Sequence, residues 1–189
     1  MDHYGLIGNP VSQSLSEKYF TDKFTLLGID ARYERFLLNS IHGLRSLLDA
    51  YPQLRGLSVT SPFKTDVLRH CDELDDTARE IQAVNTLNIL RNGGDILIRG
   101  YNTDADGFAA TILPLLKGKD YRALILGSGG AARAVAFALK RLSVPFLVVS
   151  RNPGPGKIAY RELDTSLMQN FRLLINATPL GMGRFIRDY

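Results

Sequence analysis

The chain has 189 residues, 45% hydrophobic and 22% charged, a composition that excludes intrinsic disorder as the main state and any collagen-like architecture. At ~100–200 residues per domain, that length holds one large domain or two small ones and no third. Lys and Arg total 23 against 19 for Asp and Glu, a net charge of +4; the basic residues are spread singly from Lys18 to Arg187 rather than gathered on one stripe, which argues against a nucleic-acid partner and suits an anionic small molecule.

Two textures meet near Gly100. In the first half, short β-like runs at 4–7, 32–38 and 54–60 alternate with helical patterns, the clearest being Leu44, Leu47 and Leu48 after a cap at Asn39 or Ser40, as in βα units around a mostly parallel sheet. Runs at 84–90 and 95–99 flank Asn92-Gly93-Gly94, a strong hairpin signal because Asn and Gly take positive φ cheaply. The sheet is therefore expected to be mixed. The second half opens with a helical pattern at 104–116, apolar at Phe108, Ile112, Leu115 and Leu116 despite Pro114. A buried strand at 123–126, a small-residue helix at 130–142 and strands at 146–149 and 173–175 follow, with a Gly- and Pro-rich turn at 152–156.

No apolar run approaches the ~18 residues of a membrane helix, and the opening MDHYGLIGNP lacks the basic and apolar regions of a signal peptide. A soluble, cytoplasmic protein without a membrane partner is expected. Cys71 is the only cysteine, and His3, His42 and His70 show no HxxxH or HExxH spacing, so neither a disulfide nor a metal site is expected.

Gly127-Ser128-Gly129-Gly130-Ala131-Ala132 fits G-x-G-x-x-G/A between a strand and a helix. The first glycine permits the tight turn, the second lets backbone approach a pyrophosphate, and the small third position lets helix pack on strand. Backbone N–H groups and the positive end of the helix then face the phosphates. Such turns normally continue to an Asp or Glu about 20 residues on that binds the ribose of NAD. Here the next strand ends in Ser150-Arg151-Asn152 with no acid, and the guanidinium fork of Arg151 suits a 2′-phosphate, which favours NADP.

In the first half, polar clusters stand where βα units place their loops, on the side where open α/β sheets bind ligands. They are Ser12 to Ser16, Thr60 to Lys64, Asn85-Thr86 and Asn102-Thr103-Asp104. Singly, each has a structural explanation: Ser14 or Ser16 as an N-cap, Lys64 as an exposed helix residue, Asn85 as a turn former, Asp104 as a cap.

Together with the glycine turn, however, GNPVSQSLS, GLSVTSPFK, AVNTL, GYNTDADG, GSGGAARA and NATPLGM resemble, in order and spacing, the shikimate dehydrogenase family from Tyr4 to about Met182. The resemblance implies a mixed-sheet α/β substrate domain at 1–101 and a Rossmann-like dinucleotide-binding domain at 102–189. It implies reduction of 3-dehydroshikimate to shikimate with NADPH in aromatic amino-acid biosynthesis, by a monomer or homodimer. Ser14 and Ser16 would hold the substrate carboxylate, with Thr60, Lys64, Asn85 and Asp104 around the ring hydroxyls and Lys64 and Asp104 as the catalytic pair. Gly127, Ser128, Gly129, Gly130 and Ala131 would bind the pyrophosphate, Ser150 and Arg151 the adenosine end, and Asn176, Thr178 and Met182 would line the cofactor near its nicotinamide.

Gln13, Glu17, Ser58 and Gln82 stand where the family usually has His, Pro, Asn and Gly. The family also continues beyond the NATPLGM stretch with further strands and a helix carrying a Tyr and a Gln, and residues 183–189 do not resemble that continuation. The second domain is thus expected to be incomplete, with three strands after the helix at 104–116. Two alternatives stand beside this reading. One is a quinate/shikimate dehydrogenase, which typically prefers NAD and carries a threonine in the paired-serine site. The other is a fragment that binds ligand without turnover.

Overall fold

The computed structural model describes residues 1–116 and 120–181, and the chain divides into two units, Met1–Asn102 and Thr103–Tyr189. In the first, β1 (Asp2–Gly8) is followed by α1 (Ser16–Leu27), β2 (Ala31–Leu37), a 3-10 turn at Ile41–Gly43, α2 (Leu44–Ala50) and β3 (Leu54–Val59). A 3-10 segment at Asp66–His70, β4 (Glu73–Leu74), α3 (Asp76–Ile81), β5 (Thr86–Asn92) and β6 (Asp95–Tyr101) complete it. The six strands run in the order β2-β1-β3-β5-β6-β4. β1 is parallel to β2 and β3, β5 is antiparallel to β3 and β6, and β4 is parallel to β6. This is the mixed sheet expected.

β1 lies inside the sheet and is buried along most of its length, as a parallel strand covered on both faces must be. Ile7 packs with Leu44, Leu48, Leu54, Leu57, Leu87 and Ile89 in the principal core. The hairpin closes where expected: Asn92 pairs with Asp95, leaving Gly93 and Gly94 as a two-residue loop with φ of +57° and +106°, a conformation glycine reaches without a Cβ penalty. Ser40 caps the 3-10 turn, its hydroxyl accepting from the His42 N–H, rather than α2 itself.

His3 is wholly buried between Phe36 and Tyr51. Arg32 donates to its Nδ1 at 3.2 Å, and a guanidinium cannot accept, so the ring is neutral with its proton on Nε2, 2.8 Å from Glu34. Burial, reinforced by the Arg32 charge, lowers the His3 pKa below 6.5 against the opposing pull of Glu34. The unfolded chain therefore takes up this proton at a higher pH than the folded one. Stability contributed by neutral His3 is present above about pH 6.5 and falls as pH drops below it. Between about pH 7.5 and about pH 5.5 thermal unfolding of the parent chain is expected to shift downward more than that of His3→Gln; parallel shifts would show that His3 does not titrate in this way.

The second unit runs α4 (Asp104–Ile112), a 3-10 turn at Leu113–Leu115, β7 (Ala123–Leu126), α5 (Gly130–Arg141), β8 (Phe146–Val149), β9 (Lys157–Ile158), a 3-10 turn at Tyr160–Glu162, α6 (Thr165–Met168) and β10 (Leu173–Asn176). Its parallel sheet has the order β10-β7-β8-β9. Strands continue outward from β7 on one side and return to its other side, the doubly wound, Rossmann-like pattern with its switch point between β7 and β10. The expectation of three strands here is corrected to four among the described residues, because β9 is only two residues long and carries no readable period. The helix expected to reach Leu116 ends at Ile112, since Pro114 has no N–H for a continuing α-helix. Ala132, Val135 and Leu139 of α5 pack on Ala123 and Ile125 of β7 and Val148 of β8.

Candidate functional site

In the first unit the parallel strands β1 and β3 end beside the start of β5, and most of the singled-out residues gather there. Past β3, the Thr60 N–H extends the ladder to the Ile7 carbonyl at 2.9 Å, and the Phe63 N–H folds back to the Thr60 carbonyl at 3.0 Å. The Lys64 carbonyl accepts from the Val84 N–H at 2.7 Å, and the Asn85 carbonyl accepts from the Val59 N–H at 2.7 Å. Thr86 Oγ1 donates to Asn85 Oδ1 at 3.0 Å. Thr60, Lys64 and Asn85 thus share one end of the sheet, each on a backbone fixed by a neighbouring strand and each half-buried. Asn102 is buried, its amide donating to the Ala83 carbonyl at 2.9 Å. Asp104 is the first residue of α4 and belongs to the second unit.

Ser14 and Ser16 stand at the start of α1. Ser14 Oγ donates to Ser16 Oγ at 3.1 Å and accepts from the Ser16 N–H at 3.2 Å. Two hydroxyls beside the opening N–H groups of a helix suit a carboxylate, whose charge the helix end favours. Two residues of β2 that sequence reasoning did not single out make long-range bonds, Arg35 to this turn and Tyr33 to β3. Arg35 donates to the Ser12 carbonyl at 2.6 Å and pairs with Glu17, and Tyr33 donates from its hydroxyl to Ser58 Oγ at 2.9 Å. Residues two apart on a strand share a face, so β2 presents Tyr33 and Arg35 to the same side; the signal was present in its alternation. Asn9, Pro10, Val11, Ser12, Arg35 and Leu37 line an open groove of about 480 Å³ beside the turn. Cys71 is an unsuitable nucleophile, burial pushing its thiol up to about 11.

In the second unit the glycine turn has the geometry its sequence demands. Gly127 sits at φ +108°, and a Cβ there would lie 2.9 Å from the Ala177 carbonyl oxygen, so glycine is required by conformation and by packing. Gly129 is different: a Cβ there would meet nothing within 4 Å. The space beside this exposed N-terminus of α5 is open, and a dinucleotide phosphate fits it on geometry and on the direction of the helix dipole. Ala132, the third small position, is buried against the sheet. Gly130 and Ala131 open α5.

Ser128 Oγ lies 2.9 Å from Ser150 Oγ, tying the turn to the end of β8. Ser150 is buried, and its Oγ accepts from the Asn152 N–H at 3.1 Å, while Arg151 between them is exposed. Asn176 and Thr178 engage each other: Asn176 Oδ1 accepts from the Thr178 hydroxyl at 2.6 Å and its N–H at 3.0 Å, and Asn176 Nδ2 donates to the Leu180 carbonyl at 3.0 Å. Their polar groups shape the turn after β10. Met182 and residues 183–189 lie outside the described residues. Among the described residues no group of three or more His, Cys, Asp or Glu is placed to hold a metal, and no helix is long and apolar enough to cross a membrane.

Residues 6–87 match the shikimate dehydrogenase substrate binding domain family. A shikimate dehydrogenase (NADP(+)) of Bacillus cytotoxicus is 34% identical over 95% of this chain and 69% of its own length. One from Pyrococcus abyssi is 37% identical over 97% of this chain and 70% of its own length. The crystal structure of shikimate 5-dehydrogenase from Thermus thermophilus, in complex with NADP(H) and shikimate, superimposes with a TM-score of 0.79 at 32% identity, over 96% of this chain and 70% of that one.

Proposed function

The chain belongs to the shikimate dehydrogenase family, and from that membership we infer that it interconverts 3-dehydroshikimate and shikimate with NADP(H), serving aromatic amino-acid biosynthesis in the cytoplasm. One observation carries this reading: a chain whose residues 6–87 match the family's substrate domain also holds, after β7, a Gly127 turn open at Gly129 for a dinucleotide phosphate. The first unit is the substrate domain and the second the cofactor domain.

Ser14 and Ser16 donate to the substrate carboxylate, and Thr60 and Asn85 bind ring hydroxyls. The N–H groups from Gly127 to Ala131 receive the pyrophosphate, Ser128 and Ser150 fix that turn, and Arg151 meets the 2′-phosphate. Asn176 and Thr178 hold the turn near the nicotinamide. The bound cofactor supplies the hydride in reduction and takes it in oxidation.

As the substrate carbonyl is reduced its oxygen becomes alkoxide-like, and the Lys64 ammonium donates the proton and stabilises the growing negative charge. Asp104, the other member of the catalytic pair, accepts from a substrate hydroxyl. In oxidation the same groups act in reverse, Lys64 receiving the hydroxyl proton. Incubating the chain with shikimate and NADP+ is expected to yield NADPH absorbance together with 3-dehydroshikimate. Absence of both turnover and shikimate binding would overturn the reading.

A further inference from the structure

Arg35 stands on β2 with its Cα paired to Leu6 of β1, yet its side chain works on neither strand. It reaches 23 positions back in the chain to donate from Nη1 to the Ser12 carbonyl at 2.6 Å, and its Nε pairs with the Glu17 carboxylate. Ser12 and Glu17 flank the serine turn, one before Ser14 and the other directly after Ser16. Within that turn the Ser14 N–H donates to the Val11 carbonyl at 3.1 Å and the Ser16 N–H to Ser14 Oγ at 3.2 Å. One guanidinium thus holds the turn at both ends, and its planar fork fixes the direction of each bond.

The side chains of Arg35 and Glu17 are 35% and 37% exposed, so solvent screens the pair and it adds little to folding. What it governs is an incoming anion. Glu17 lies in the first turn of α1, and Leu15 at the N-cap makes no side-chain bond to the helix. A carboxylate in a first turn is drawn to the positive helix end, the same end that favours the substrate carboxylate beside Ser14 and Ser16. Released from Arg35, Glu17 would bring a like charge to that position and compete for it. Bonded to Arg35, it is neutralised and held toward β2.

We propose that Arg35 is a positioning residue for carboxylate recognition: by clamping the turn at Ser12 and engaging Glu17, it keeps that acidic side chain from competing for the anion position at Ser14 and Ser16. The proposal rests on the reading that these two serines hold the substrate carboxylate. Arg35 acts through Glu17 and the turn and needs no contact with substrate or cofactor.

The test is titration calorimetry of the full chain with shikimate and with its methyl ester, which lacks the carboxylate charge. Arg35→Ala is expected to weaken shikimate binding about threefold to tenfold, the effect of one like charge at a partly screened distance, and to weaken binding of the ester by less than about twofold. Adding Glu17→Gln to Arg35→Ala should restore most of the lost affinity, because the competing charge is then gone, a coupling that independent sites do not show. A residue that merely supports the fold would weaken acid and ester alike and gain nothing from the second substitution. Arg35→Gln, which keeps a donor for the Ser12 carbonyl and loses the charge, should reproduce the pattern and carries the comparison if Arg35→Ala does not fold. Unchanged shikimate affinity, equal weakening for acid and ester, or no recovery with Glu17→Gln overturns the proposal. A parent chain that binds no shikimate overturns the functional reading beneath it and the proposal with it, a result distinct from the others.

Discussion

Lys64→Ala is expected to lower kcat for shikimate oxidation by about 10²–10⁴-fold, the usual contribution of a positioned acid–base group. The size of the effect follows from when the interaction is made. The ground-state hydroxyl or carbonyl oxygen gains modestly from a neighbouring ammonium, whereas an alkoxide-like oxygen gains a full charge–charge contact. The loss should therefore appear in kcat and kcat/KM together, with a smaller change in KM. The backbone at this position is tied through its carbonyl to the Val84 N–H at 2.7 Å, a bond that the substitution leaves in place. Asp104→Ala should reduce kcat in the same direction. A Lys64→Ala enzyme retaining more than about a tenth of parental kcat would remove the lysine from its assigned role.

What could be read from the sequence depended on whether a residue's task leaves a local imprint. The hairpin at Gly93-Gly94 and the turn at Gly127 were legible because positive φ selects glycine at a defined position. β7 and α5 were legible because they bury regular faces. α1 gave no such signal: none of its residues is buried, and it meets its sheet through the partly buried Phe20 and Phe24. β4 and β9, two residues each, are too short to display alternation and exist only because a neighbouring strand offers its edge.

The site followed the same logic. Ser14, Thr60, Lys64 and Asn85 stand in loops and Ser16 opens α1, places where polar residues attract notice as possible ligands for something. Tyr33 and Arg35 stand in a strand of ordinary alternation, and what sets them apart is the partner each reaches, Ser58 from β3 and Ser12 from the first loop. Those partners lie 25 and 23 positions away in the chain, so only the sheet reveals them. Asn176 and Thr178, which the resemblance places along the cofactor, bond through their side chains to each other and to the Leu180 backbone, partners close by in the chain.

Arg151→Ala should erase most of a preference for NADPH over NADH that the parent chain is expected to show at about tenfold to a hundredfold. The preference follows from what stands at the end of β8. An enzyme that reads the ribose of NAD places a carboxylate there to accept from the 2′-hydroxyl, and a carboxylate would repel a 2′-phosphate. Ser150-Arg151-Asn152 offers donors and no acid. The backbone beneath them is fixed: the Ser150 N–H donates to the Ile158 carbonyl at 2.9 Å, and Ser150 Oγ links to Ser128 at 2.9 Å and to the Asn152 N–H at 3.1 Å. Arg151 therefore leaves a rigid corner with its exposed side chain available to an anion. One or two charge-assisted bonds, at about 1.5–3 kcal/mol each before solvent screening, account for the expected ratio. Because the guanidinium is exposed, screening trims the gain, and raising the salt concentration should narrow the preference. In the variant NADPH binding should weaken toward that of NADH, while NADH binding, which offers no 2′-phosphate, should hardly change. Equal affinity of the parent chain for the two cofactors would show that Arg151 does not read the phosphate.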